Sequence, residues 1–349
     1  ETMYQHINSL PHYNVDEKIN EIVDCYSCHL RNISEARILL TGGSGFFGFW
    51  TILVLAELHR RSVFSGEVFI ITRSSDTLLN LNPTISLMPF VHILEGCVTD
   101  IDISELKPDH LIHFASTSAT ETFNKTSQVQ KLDTLYLGTK NILEQCGPSL
   151  KKVLFASSGA AYGSTTGFIP SREEDYSKII STSEDFALCI GKINAEFLIS
   201  NYSKKFDFDF SIARCFSFCG EYMPLTIHYA FGNFISDALK GKPLVVYGDG
   251  SAIRSYMYIG DAIAWLFVLL LHPKNNIYNM GAEEQINIQT LAELIARKAD
   301  SKVINLGSNR PSGNFERSLY VPNTTKIRTD YGELKMLTEL HEVISRMLG

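Results

Sequence analysis

A chain of 349 residues, 45% hydrophobic and 20% charged, has the apolar content to bury one large core or two intimate ones without a membrane. Its formal charge of −7 argues against DNA or RNA as a main partner, because a general nucleic-acid binder carries a basic face. A nucleotide ligand stays possible, since a few placed arginines serve one diphosphate.

Residues 1–34 carry little strand signal. Glu1–Leu10 is polar and mixed and gives no secretory signal. Val15, Ile19, Ile22, Val23 and Tyr26 fall at helical spacing within Val15–Leu30, which predicts a short amphipathic helix packed on the main body. Cys25-Tyr-Ser-Cys28 has the spacing of a metal or redox pair. No second pair with that spacing follows, so no metal site is expected. The seven cysteines (Cys25, Cys28, Cys97, Cys146, Cys189, Cys215 and Cys219) are odd in number and scattered, as free thiols in a reducing compartment are.

From Arg37 the pattern changes. Arg37–Leu40, Val68–Ile71, Val91–Leu94, His110–Ala115, Lys152–Ala156 and Asp209–Cys215 read as six short apolar strands. Phe46–His59, Asp133–Cys146 and Asp185–Lys204 read as helices between them. Continuous apolar strands alternating with helices predict an α/β protein with a doubly wound parallel sheet, covered on both faces. After Cys219 the order loosens. Gly220–Gly250, His272–Gly281 and Asn309–Thr325 are rich in Pro, Gly and Asn and suit a smaller C-terminal lobe over the carboxyl ends of the strands. Ala262–Leu271 is the longest apolar run. It is about half the length of a bilayer span, so a buried helix and a cytoplasmic protein are expected.

Thr41-Gly-Gly-Ser-Gly-Phe-Phe-Gly48 follows the first strand and opens the first long helix. Gly43, Gly45 and Gly48 fit G-x-G-x-x-G, and Gly42, Gly45 and Gly48 fit a second phase. Such a loop turns tightly, lets backbone approach a pyrophosphate, and aims the N–H groups of Phe46 and Phe47 at it. A carboxylate after the second strand would bond the ribose diol of NAD. Here the segment is Thr72-Arg73-Ser74-Ser75, and Arg73 and Ser74 suit the 2′-phosphate of NADP. NADP is therefore favoured over NAD. Arg73 stacked on adenine, and Asp76 bonding a ribose, remain alternatives. His113, inside an apolar strand, reads as a satisfied core histidine.

Further features join the loop. They are Ser157-Ser158-Gly-Ala-Ala-Tyr162-Gly163 after the fifth strand, Gly191-Lys192 in a helix, Arg254 before Ser255-Tyr256, and Tyr278-Asn279-Met-Gly281. Together these resemble the extended short-chain dehydrogenase/reductase family, the NAD(P)-dependent epimerases and dehydratases of nucleotide sugars, over roughly residues 36–345. The resemblance implies a Rossmann sheet with a smaller substrate-binding lobe. It divides the chain into an extension (1–34), a dinucleotide-binding domain (35–217 and 255–290) and a lobe (218–254 and 291–349). It implies cofactor contacts at Gly42, Gly45, Phe46, Phe47, Gly48, Arg73, Ser74, Val98, Ala115 and Lys192. It also implies a nucleotide-diphosphate sugar as substrate, held by Ser158, Asn233, Arg254 and Arg310, and a homodimer formed through the helices at 133–146 and 185–204. Ser158 matches the hydroxyl that bonds the reacting sugar oxygen. Lys192 matches the lysine that grips the nicotinamide ribose and lowers the pKa of a tyrosine one turn earlier.

That tyrosine is absent. The segment is Phe186-Ala-Leu188-Cys-Ile-Gly-Lys192, and leucine has no proton to exchange. Three alternatives follow: a different acid/base among Tyr162, Cys189, Tyr176 and Asp175; a reduction whose proton comes from water; or a catalytically silent relative that binds cofactor or sugar nucleotide. Cys97 stands where an Asp often contacts adenine. Gly159-Ala160 replaces the acidic residues that dehydratases and decarboxylases carry after the serine. The expectation is thus an epimerase or reductase with an atypical site, with Ser158, Lys192 and Tyr162 as its catalytic candidates.

Overall fold

The computed structural model describes residues 13–116, 127–165, 169–225, 229–307, 318–332 and 334–349. Arg310 lies outside these. Six strands run β1 Arg37–Thr41, β2 Glu67–Thr72, β3 Val91–Glu95, β4 His110–His113, β5 Lys152–Ser158 and β6 Asp209–Cys215. With β11, Asn276–Met280, they form one sheet in the order β11-β6-β5-β4-β1-β2-β3, every pair parallel. The winding reverses between β1 and β4. An open α/β sheet leaves a crevice for ligands there, at the carboxyl ends of the strands.

Both faces are covered because successive side chains of a strand point opposite ways. The first helices are α1 Asp16–Cys25, α2 Phe46–Arg60, α3 Ser75–Leu81, α4 Gln128–Cys146 and α5 Ala187–Phe206. Ile38 and Leu40 join a core with Trp50, Leu55 and the N-terminal residues Ile19, Ile22 and Tyr26. Leu39, between them, joins a second core with Ile142 and Leu143 of α4 and Ala195 and Ile199 of α5.

The remaining elements are β7 Phe218–Cys219, α6 Ala230–Leu239, β8 Leu244–Val246, β9 Ile253–Arg254, β10 Met257–Tyr258, α7 Ile259–Leu271, β12 Ile286–Asn287, α8 Ile288–Lys298, β13 Val303–Asn305, β14 Leu319–Tyr320, α9 Thr325–Tyr331 and α10 Leu340–Leu348. Small sheets β12-β9-β14, β13-β8 and β10-β7 accompany the main one. Every residue of α7 is buried, and no described helix is long and apolar enough to cross a membrane. Asp261 in its first turn accepts the Leu337 and Thr338 N–H groups at 3.0 and 3.1 Å, while burial pushes its pKa up to about 7. Tyr26 pins the N-terminal segment by exchanging two 2.9 Å bonds with the Lys335 backbone.

Three differences from the sequence reading bear on the architecture. The amphipathic segment breaks at Tyr26, with a further helical turn at Ser27–Leu30. Helix α4 begins at Gln128 rather than Asp133, because the Ser127 side chain caps it by accepting from Val129 N–H. Asn276–Met280 is an edge strand where the Pro- and Asn-containing stretch suggested irregular structure. Its half-buried start and its asparagines weaken the local strand signal, and only pairing with β6 fixes it.

Candidate active site

The glycine loop is shaped by close packing. Gly42 has φ +73°, and a Cβ there would stand 2.9 Å from the Phe114 carbonyl carbon. A Cβ at Gly48 would stand 2.3 Å from the Gly42 oxygen, and one at Gly43 2.3 Å from Ile70 Cγ2. Gly45 donates to the Gly42 oxygen at 3.0 Å and heads α2, whose N-terminus has no side-chain cap. That end therefore presents N–H groups and a partial positive charge to whatever occupies the crevice. Phe47, beside Phe46, packs edge-on against Phe218 at 5.0 Å. Ala115 closes the loop on the β4 side by donating to Thr41 Oγ1 at 3.0 Å. Val98 lies buried against Gly138, and Asn141 donates to its carbonyl at 3.0 Å.

At the end of β2 the Thr72 hydroxyl joins strand to loop, 3.3 Å from Ser44 Oγ and 3.0 Å from the Ser74 carbonyl. The Ser74 side chain caps α3 by accepting from Thr77 N–H. Arg73, between them, is exposed.

Behind the loop a buried polar line runs across the sheet. Thr139 gives its one proton to the Leu135 carbonyl at 2.6 Å, so it accepts from His113 Nε2 at 2.9 Å. The ring then takes the Thr41 hydroxyl at Nδ1, 2.7 Å away. This is a neutral histidine with both nitrogens satisfied. Burial, helped by the Lys192 charge, pushes its pKa down to about 3.

Lys192 is buried, with Nζ donating to the Ala156 carbonyl at 2.7 Å and lying 4.7 Å from the Phe155 ring centre. Burial pushes its pKa down to about 8, against Cys215 and Glu196, which favour the charged form. Leu188, one turn earlier in α5, is half-buried. The helix thus keeps the geometry of the Tyr-x-x-x-Lys pair with one member apolar.

Beside this helix is a buried ion pair absent from the sequence reading. Arg214 donates to both Glu196 oxygens, at 3.0 and 2.8 Å, and Ser157 donates to the same carboxylate at 2.5 Å. The guanidinium also lies 4.7 Å from the Tyr162 ring centre. Tyr162 itself is buried and donates to Asn279 Oδ1 at 2.6 Å. Burial pushes its pKa well up, the reverse of what a general base needs. Its hydroxyl is engaged in the joint between the end of β5 and β11.

Of the other candidates, Cys189 is buried with its thiol aimed at the Ala161 carbonyl, 3.4 Å away. Tyr176 is 93% exposed, and Asp175 accepts from the Arg172 N–H at 2.8 Å.

Ser158 ends β5 and accepts from Ala160 N–H at 3.0 Å. Its Oγ is also 3.5 Å from the Tyr320 hydroxyl. Tyr320 is on β14 and pairs in register with Arg254 on β9, whose guanidinium lies 5.9 Å from the tyrosine ring centre. The ring packs on Phe216 at 4.7 Å, and a Cβ at Gly159 would stand 2.8 Å from the hydroxyl oxygen. So the tertiary structure brings together Ser158, Tyr320 and Arg254, although 162 residues separate the first two. Asn233 lies half-buried in the first turn of α6, with no described contact to this group. The sequence carried no local signal for Tyr320, which follows a stretch containing Pro311 and Gly313.

Cys25 and Cys28 are exposed free thiols, and among the described residues no three His, Cys, Asp or Glu side chains cluster as metal ligands would.

A parallel sheet wound in two directions, with a glycine loop at its reversal, defines the Rossmann class of nucleotide-binding fold. The model of the NAD dependent epimerase/dehydratase family matches residues 38–281, and the chain belongs to that family, within the extended short-chain dehydrogenases/reductases. It is 27% identical to UDP-glucuronic acid decarboxylase 5 of Arabidopsis thaliana, over 86% of this chain and 84% of that one. It is 29% identical to UDP-N-acetyl-alpha-D-glucosaminuronate decarboxylase of Bacillus cytotoxicus, over 89% and 94%. A solved UDP-glucuronic acid 4-epimerase from Bacillus cereus, in complex with UDP-glucuronic acid and NAD, superposes with a TM-score of 0.74. It is 22% identical, over 89% of this chain and 97% of that one, a likeness of fold.

Proposed function

We propose that this chain binds a nicotinamide dinucleotide on the Gly42–Gly48 loop and a nucleotide-diphosphate sugar against Ser158 and Arg254, and that it epimerises or reduces the sugar. The carrying observation is the meeting of the uncapped helix end, the buried Lys192 and the Ser158–Tyr320–Arg254 group at one sheet edge. The glycine cradle, which a Cβ at Gly42 or Gly48 would fill, fits the dinucleotide. Phe46 and Phe47 N–H groups face its phosphates, with Val98 and Ala115 alongside. The bound dinucleotide supplies the hydride donor or acceptor.

Exposed Arg73 favours NADP over NAD, with Ser74 beside it as a further donor. Lys192 holds the nicotinamide ribose. Ser158 bonds the reacting sugar oxygen, Arg254 the diphosphate, and Asn233 and Arg310 its flanks. The lobe at 218–254 and 291–349 closes over the sugar. Gly159 leaves no room for an acidic side chain and Ala160 is fully buried, which speaks against decarboxylation or 4,6-dehydration by the relatives' residues.

A second reading, a catalytically silent sugar-nucleotide binder, is favoured by Leu188. One experiment separates the two. Melting temperature is measured with NAD⁺, NADP⁺ and a set of UDP- and dTDP-sugars, and nicotinamide absorbance is followed with the sugars that stabilise. Stabilisation with turnover is expected, and NADP⁺ stabilising more than NAD⁺. Stabilisation without turnover selects the silent binder, and no stabilisation refutes both.

We also infer a cytoplasmic homodimer formed through α4 and α5. Val129 (66% exposed), Leu137 (43%) and Phe197 (65%) form its apolar surface, and sedimentation of the purified chain tests it.

A further inference from the structure

We propose that Tyr320 supplies the proton-transferring hydroxyl of this site, reaching it from the lobe rather than from α5. The proposal rests on the enzymatic reading above. The tyrosine position one turn before Lys192 is filled by Leu188. Tyr162 is committed to Asn279, Cys189 to the Ala161 carbonyl, and Tyr176 stands in solvent. The Tyr320 hydroxyl lies 3.5 Å from Ser158 Oγ, the atom that this reading sets against the reacting sugar oxygen. Catalytic hydrogen bonds are commonly long before substrate arrives and tighten around it.

Three contacts fix this placement. The β14–β9 register carries Tyr320 beside Arg254, so the residue that grips the diphosphate and the one that handles the proton share a small sheet. Phe216 supports the ring at 4.7 Å. Gly159 provides the clearance: any side chain there would displace the hydroxyl. Glycine at 159 therefore leaves the space that the Tyr320 hydroxyl occupies.

The chemistry balances. In reduction, a sugar ketone receives a hydride at carbon from a reduced nicotinamide dinucleotide and a proton at oxygen from Tyr320, directly or through Ser158. The phenolate then recovers a proton from water. Oxidation runs the same transfers backward.

The test compares wild type, Tyr320→Phe and the double variant Leu188→Tyr/Tyr320→Phe. Calorimetry measures affinity for UDP and for UDP-glucose. Single-turnover absorbance with NAD⁺ and with NADP⁺ follows UDP-glucose, UDP-glucuronic acid and UDP-N-acetylglucosamine as a function of pH. Tyr320→Phe is expected to slow hydride transfer at least about 100-fold and to flatten its pH dependence. It should weaken UDP-glucose about 3- to 10-fold while leaving UDP within about twofold. The double variant, with the phenol moved to α5, should recover at least about tenfold in rate. Wild-type rates in Tyr320→Phe overturn the proposal and leave the function standing. An equal loss of UDP and UDP-glucose affinity, with no recovery in the double variant, assigns Tyr320 a structural role and also overturns it. A wild-type chain that binds UDP but oxidises none of the three sugars overturns the enzymatic reading, and the proposal with it.

Discussion

The glycine loop and the corner around Ser158 and Lys192 lie at the carboxyl ends of one parallel sheet, yet they are held by different means. The loop is held by backbone: Gly42, Gly43 and Gly48 touch neighbours so closely that a methyl group fits at none of them. The corner is held by side chains that far-apart elements deliver: Lys192 from α5, Ser158 from β5, Arg214 from β6, Tyr320 from β14. Backbone packing leaves little freedom to change residue type. A site built from side chains can exchange one residue for another that arrives from a different element. Leu188 marks that contrast: the loop fits G-x-G-x-x-G, and the corner carries leucine one turn before Lys192.

The sharpest way to break this contrast is Arg214→Met. It strands the buried Glu196 carboxylate without its cation, which should destabilise the fold by about 3–5 kcal/mol in urea unfolding. The double variant Glu196→Leu/Arg214→Met should regain most of that. A single variant as stable as wild type would mean that the corner's frame does not depend on this pair.

Gly48→Ala probes the other side of the comparison. Its methyl would meet the Gly42 oxygen at 2.3 Å, so about 1–3 kcal/mol of stability and at least about tenfold in dinucleotide affinity should be lost. Unchanged affinity by calorimetry would show the loop to be more adaptable than the corner.

A third effect is one of pH. Burial holds the Lys192 pKa at about 8 against an ordinary 10.5. Between those values the unfolded chain binds more protons than the folded one, so this residue makes stability rise with pH. Below about 8 both forms are protonated, and the folded chain bears the full cost of burying the charge. Lys192→Met should remove that rise, a difference of about 3 kcal/mol between the two curves over the window. Parallel stability curves for wild type and variant would show that the ammonium is solvated.

What the chain order reveals depends on whether a feature is local. The six central strands, the first helix and the glycine loop were legible because apolar runs, helical spacing and glycines act over a few residues. Ala262–Leu271 and the N-terminal apolar stripe were legible for the same reason, and both are buried. The absence of a proton at position 188 was equally plain, since it is a fact of residue type. The edge strand Asn276–Met280 was not, because pairing with β6 rather than its own composition makes it a strand. Tyr162 looked like a free acid/base beside Ser158, and only the fold shows its hydroxyl turned onto Asn279, 117 residues away.

The sequence by itself thus determined a wound α/β sheet, a glycine loop at residues 42–48 and a helix with leucine one turn before a lysine. Tertiary structure decided which side chains face one another across that edge. The Glu196–Arg214 pair and the meeting of Ser158 with Tyr320 come from strand order and register. These set distances between residues far apart in the chain, and no local pattern records them.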